Sequence, residues 1–197
     1  MRLVVHVALI GLSPSGFDWV GLGKATIVDV SCVVLAKVSP DLDFIIQDLP
    51  HVVEAGIEAI RERAEPGIAS RIQFQEYNFF ERQPVEGAEV YLFRQIFHNW
   101  DFTNSAKILK KTVDSMGKNS HVLIMDFVIP DPGSVPSVNE RVLRSRDVGM
   151  MQLFNSLERD LEGWKALLEA VDSRLRINAV NTPVGSFMSV IDVVLEC

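Results

Sequence analysis

A chain of 197 residues, 48% hydrophobic and 23% charged, has room for one globular domain with a sizeable core. A formal net charge of −7 and a pI near 5.1 argue against a general nucleic-acid or anionic-membrane surface. Two cysteines, Cys32 and Cys197, make neither a disulfide framework nor a metal-ligand spacing, so no metal site and a reducing, cytoplasmic setting are expected.

The opening run MRLVVHVALIGL is too short in its apolar part to cross a bilayer. It has a lone Arg2 and no small-x-small cleavage site, which speaks against a signal peptide. It reads as an extra strand or helix, or as a truncated entry, and residues 1–22 are set apart from a domain over 23–197. From Gly23 the chain alternates. Thr26 to Val30 predicts a buried strand, Ser31 to Val38 a short helix, and Asp43 to Gln47 a second strand. Pro50 opens a helix whose face carries Val53, Ile57 and Ile60. Arg71 to Glu76, Glu89 to Phe93 and His121 to Phe127 are three further strands. Asn139 to Ser156 predicts a helix with an apolar patch at Met150, Met151, Leu153 and Phe154, and Glu158 to Val171 another. Arg174 to Thr182 and Phe187 to Leu195 form a hairpin, giving a parallel sheet with an antiparallel pair at its end.

The stretch YLFRQIFHNWDFTNSAKIL holds the first chemical candidate. A strand ends in a polar hinge at Arg94 and Gln95, His98 follows between Phe97 and Trp100, and a helix starts over Asp101 to Asn104. That order places an imidazole in the crevice where open α/β sheets bind ligands. Histidine is also the side chain best suited to take a proton near neutral pH. A histidine packed between aromatics, without chemistry, fits this stretch equally well.

The succession TIVDV, DFIIQDLPHV, RIQF, YLFRQIFHNWD, HVLIMDFVIPDPG and SLERDLEGW resembles the S-adenosylmethionine-dependent O-methyltransferases of the caffeate and flavonoid type. The fungal relatives of that family methylate aromatic and polyketide hydroxyls of secondary metabolism. The resemblance implies a Rossmann-like class I methyltransferase sheet in the order 3-2-1-4-5-7-6, with helices on both faces. It implies S-adenosylmethionine as cofactor and a small aromatic or polyketide substrate, with no nucleic-acid or membrane partner. By position, Asp48 matches the carboxylate that holds the cofactor's ribose, although a helix cap beside Pro50 is compatible with the same residue. Asn78 and Phe79 fall at the adenine, where the family usually has an acid and an apolar residue. Arg94 stands where a lysine usually touches the cofactor; covering the sheet edge is its other reading. His98 matches the general base, and Asp126 and Glu158 match the acids that orient it. Asp126 is one methylene shorter than the usual glutamate, so a weaker reach to His98 is expected. Met150, Met151 and Phe154 match the helix lining the acceptor pocket, where thioethers adapt to flat ligands; ordinary core is the alternative.

Two departures bear on activity. The family's glycine-rich turn after the first strand is missing, because no glycine occurs between Gly23 and Gly56. Ser31 and Cys32 then stand where bare backbone is needed, which predicts weak cofactor binding. The amino-terminal helical domain that dimerises and closes the pocket is also expected to be absent. The functional readings are therefore an active O-methyltransferase, or a degenerate relative that no longer binds cofactor and associates with a full-length homologue.

Overall fold

The structure, a computed structural model, describes residues 16–29 and 33–196. Residues 1–15, the predicted amino-terminal element, and residues 30–32, which include Ser31 and Cys32, lie outside the described residues. The strands are β1 (Ala25–Asp29), β2 (Leu42–Asp48), β3 (Ile72–Glu76), β4 (Val90–Arg94), β5 (His121–Ile129), β6 (Arg159–Asp160), β7 (Leu175–Asn181) and β8 (Met188–Leu195). The helices are α1 (Val33–Val38), α2 (Pro50–Arg63), α3 (Pro66–Ala69), α4 (Phe102–Val113), α5 (Ser137–Phe154) and α6 (Leu161–Val171).

One sheet runs β3-β2-β1-β4-β5-β8-β7, with the two-residue β6 attached in parallel to the end of β5. Leaving that short strand uncounted, this is the expected 3-2-1-4-5-7-6 order. Only β8 runs against its neighbours, pairing antiparallel with both β5 and β7. The central strands are buried on both faces, so they read as continuous apolar runs. Val28, Tyr91, Phe93, Val122 and Ile124 face α4 and α6, which contribute Ile108, Leu109, Trp164 and Leu167. Ile27, Val90, Leu92, Leu123 and Met125 form the opposite layer with Leu35 and Ala36 of α1. Trp19 is buried in that second layer, and Phe17 sets its ring edge-on against His121 at 5.3 Å.

Local chemistry explains where the helices begin and end. Asp101 caps α4 by accepting the Asn104 N–H at 2.8 Å, as the Asp101 to Asn104 helix start requires. Asp160 caps α6 through the Gly163 N–H at 2.7 Å. That moves the start of α6 to Leu161 and leaves Glu158 outside the helix, where a helical reading from Glu158 had placed it. Asn155 ends α5 in the left-handed conformation with φ 52°, which asparagine tolerates better than most residues.

The inner face of α2 differs from the Val53, Ile57, Ile60 reading. Ile57 is exposed, and Gly56 takes its place against the sheet. A Cβ on Gly56 would lie 2.5 Å from Cε1 of Phe74, so a side chain here has to push the Phe74 ring aside. Hydrophobic periodicity cannot reveal such a position, since glycine carries no apolar side chain. We expect Gly56→Val to lower stability by about 1–3 kcal/mol through overpacking. Denaturant unfolding should show this as a lower midpoint with an unchanged slope.

Candidate active site

The candidate residues gather along the carboxyl edge of the parallel strands, from Asp48 at the end of β2 to Asp126 near the end of β5. Beyond β4 the chain turns sharply at Gln95, a non-glycine residue with φ 54°. Its N–H donates to Met125 O at 3.0 Å, and its carbonyl accepts from Asn99 Nδ2 at 3.2 Å. This strained bend leads into a 3-10 turn over Phe97–Asn99 that carries His98 inward.

His98, Asp126 and Glu158 converge there, all three buried. His98 Nδ1 lies 3.2 Å from Glu158 Oε1 and 3.7 Å from Asp126 Oδ1. The longer second distance agrees with the shorter reach expected of aspartate. With both carboxylates facing one ring nitrogen, the neutral tautomer protonated on Nδ1 donates to Glu158 and leaves Nε2 as the basic atom. Glu158 is itself positioned by its own N–H, which donates to Asp147 Oδ1 at 2.9 Å. Arg146 Nε lies 3.8 Å from Glu158 Oε1, and its guanidinium stacks 3.9 Å above the Phe127 ring.

The same three residues offer possible metal-ligand atoms within 4.8 Å of one another. Arg146 brings positive charge to the Glu158 carboxylate beside them. Burial pushes the Asp126 carboxyl up to about 7, and the neighbouring Glu158 charge adds to the rise against the opposing pull of His98. For His98 burial favours the neutral ring, but the Glu158 hydrogen bond and the two acidic charges outweigh it and raise the pKa above 6.5.

At the cofactor end, Asp48 is half-buried, and its Oδ1 accepts the Leu49 N–H at 2.7 Å. The cap position of α2 belongs to Leu49, whose side chain makes no cap bond, so Asp48 is not that helix's N-cap. Asn78 is exposed and accepts from Phe80 N at 3.1 Å. Phe79 and Phe80 meet each other and Trp100 in edge-to-face contacts. Arg94 ends β4 half-buried, with Nε unpaired among the described residues. Beneath this edge lies a group that patterning did not reveal. Buried Gln47 donates to Gln75 Oε1 at 2.7 Å and Gln83 Oε1 at 2.8 Å, while Gln83 also accepts the Val85 N–H. These amides tie the 77–85 loop to β2 and β3.

The acceptor side is open. Among the described residues of α5 only Leu143 is fully buried. Met150 is half-buried, whereas Met151 is 59% and Phe154 44% exposed. The apolar patch on this helix is therefore largely a surface rather than core.

A parallel sheet whose last strand is inserted antiparallel, with Asp48 ending the second strand and His98 just after the fourth, is the Rossmann-like class I methyltransferase fold. The chain belongs to the O-methyltransferase domain family, which matches residues 20–172. It is 76% identical over 187 residues to the O-methyltransferase bik3 of Gibberella fujikuroi, covering 92% of this chain and 41% of that protein. The chain thus spans about two-fifths of that relative's length. Among solved structures it is similar to OxaC in complex with sinefungin and meleagrin, with 29% identity and a TM-score of 0.72 over 88% of this chain and 43% of that one. It is also similar to a single-residue variant of LepI in complex with SAH and a substrate analogue, with 26% identity, a TM-score of 0.74 and the same coverage.

The two raised pKa values carry a sign. Asp126 holds a proton in the folded state between its ordinary 3.8 and about 7, so stability falls as pH rises across that interval. His98 binds its proton more tightly when folded, so its contribution is full below 6.5 and lost as pH rises through its folded value. We expect thermal unfolding at about pH 8 to begin at a lower temperature than at about pH 6, and Asp126→Asn to flatten that difference.

Proposed function

We propose that this chain carries the acid–base machinery of an S-adenosylmethionine-dependent O-methyltransferase acting on a hydroxyl of an aromatic or polyketide secondary metabolite. The observation that carries the reading is the buried His98 held through Nδ1 by Glu158, which leaves Nε2 as a base. Nε2 accepts the phenolic proton as the oxygen attacks, and Glu158 steadies the imidazolium that results. Asp126, whose carboxyl is pushed up to about 7 by burial, adds a second acid beside the ring. S-adenosylmethionine supplies the methyl group when bound, and Asp48, Asn78, Phe79 and Arg94 are the residues that would hold it. Met150, Met151 and Phe154 would line the acceptor side, their exposed surface covered by the acceptor or by a further part of the protein. The likeness to bik3 and to the SAH complex of LepI supports both the reaction class and the cofactor.

A second reading, a relative that has lost cofactor affinity and acts through a full-length homologue, is favoured by one observation. No glycine occurs between Gly23 and Gly56, and only three residues join the end of β1 at Asp29 to the start of α1 at Val33. In a doubly wound sheet that turn supplies backbone donors to the ligand. Losing three such bonds, each worth on the order of 1 kcal/mol, weakens binding by more than about a hundredfold. Calorimetric titration should therefore show S-adenosylmethionine binding far more weakly to this chain than to one with a glycine-rich insert between Val30 and Ser31. Micromolar binding without the insert would reject the second reading. In the chain carrying the insert, His98→Gln should slow methyl transfer by about two to four orders of magnitude. Full activity in that variant would remove His98 from the mechanism.

A further inference from the structure

Arg159 follows Glu158 directly, and only 3% of it is exposed. Its Nη1 donates to Phe97 O at 2.9 Å, and its Nη2 donates to Trp100 O at 3.0 Å and to Ser105 Oγ at 3.0 Å. The guanidinium also stands 5.4 Å from the centroid of the Trp164 ring. Phe97 begins the 3-10 turn that carries His98, and Trp100 closes it. One planar cation thus holds the backbone on both sides of the histidine.

The turn needs such a hold. A 3-10 segment of three residues has few and poorly aligned hydrogen bonds of its own. It also follows the strained Gln95 bend, which a loosened neighbourhood would release. Arg159 is fixed in turn by the pairing of β6 with β5, where it lies opposite Val128, two residues beyond Asp126. Acid, orienting glutamate and backbone anchor are therefore referred to one strand end.

We propose that Arg159 is the positioning residue of the catalytic base: it fixes the turn so that His98 Nδ1 stays on Glu158 and Nε2 stays free. A guanidinium can hold two carbonyls at once because its donors form a rigid fork, whereas a lysine ammonium offers a single nitrogen. This role rests on the reading of His98 as the base, and it extends that reading to a residue that meets no substrate.

The test is nitrogen-15 imidazole NMR on the full chain without cofactor or acceptor, with the His98 signals assigned from His98→Gln. The native chain is expected to show neutral His98 protonated on Nδ1. Arg159→Met should shift the ring toward the Nε2-protonated form, with Arg159→Lys intermediate, at temperatures well below unfolding. A role in fold stability alone would lower the unfolding temperature and leave the tautomer in place. A folded Arg159→Met with the native His98 signals overturns the proposal, and if that variant does not fold, native signals in Arg159→Lys overturn it. A native chain already protonated on Nε2 overturns the base reading itself, and this proposal with it.

Discussion

Two carboxylates share one imidazole nitrogen in a place that water scarcely reaches, and that constraint governs the rest of the site. Buried charges of like sign cannot both persist without compensation. Here the compensation comes from a raised His98, an Asp126 carboxyl pushed up to about 7 and two flanking guanidiniums. Net charge within the cluster is then set by which groups hold protons, so protonation, orientation and local stability are aspects of one arrangement. The surrounding backbone follows from it. The Gln95 bend, the 3-10 turn and the short β6 all serve to bring residues distant in sequence to the same imidazole.

Much of the fold was legible because central parallel strands have a plain signature. TIVDV, DFIIQ, EVYLF and HVLIMDF are short, apolar and rich in β-branched or aromatic residues, and each forms a strand within a residue or two of its expected ends. His98 could be found from one stretch, since strand, hinge and helix cap are contiguous there. Glu158 and Asp126 could not. A charge in SLERD looks like any helix start, and only the resemblance joined these acids to a histidine far away in the chain. Arg159 was hidden for the same reason, because a charged pair before a helix gives no sign that one member is buried. The glutamine group escaped for another: amides on Gln47, Gln75 and Gln83 become partners only when β2, β3 and the following loop are in place. Gly56 was silent because its contribution is the absence of a side chain.

The two ends of the candidate site differ in completeness. The acid–base end has its members together, with Glu158 at hydrogen-bond distance from His98 and Asp126 just beyond it. The opposite end has Asp48, the Phe79, Phe80 and Trp100 rings and a loop braced by Gln47 and Gln83. The segment after β1, by contrast, has no glycine in its sequence. The acid–base residues and this segment occupy separate parts of the chain, so one can change while the other is kept.

The position of β8 has a consequence for how the chain acquires its shape. This strand, the last in sequence among those described, lies between β5 and β7 and not at a margin. During synthesis, β1 to β5 can assemble early, but the outer edge of β5 stays open until residues 188–195 leave the ribosome. Over that interval His121 to Phe127 presents an unpaired, apolar row of backbone groups, a ready template for the wrong neighbour. The β5 edge is also where Asp126 sits, so a strand open to misassembly during synthesis carries one of the three residues of the buried cluster.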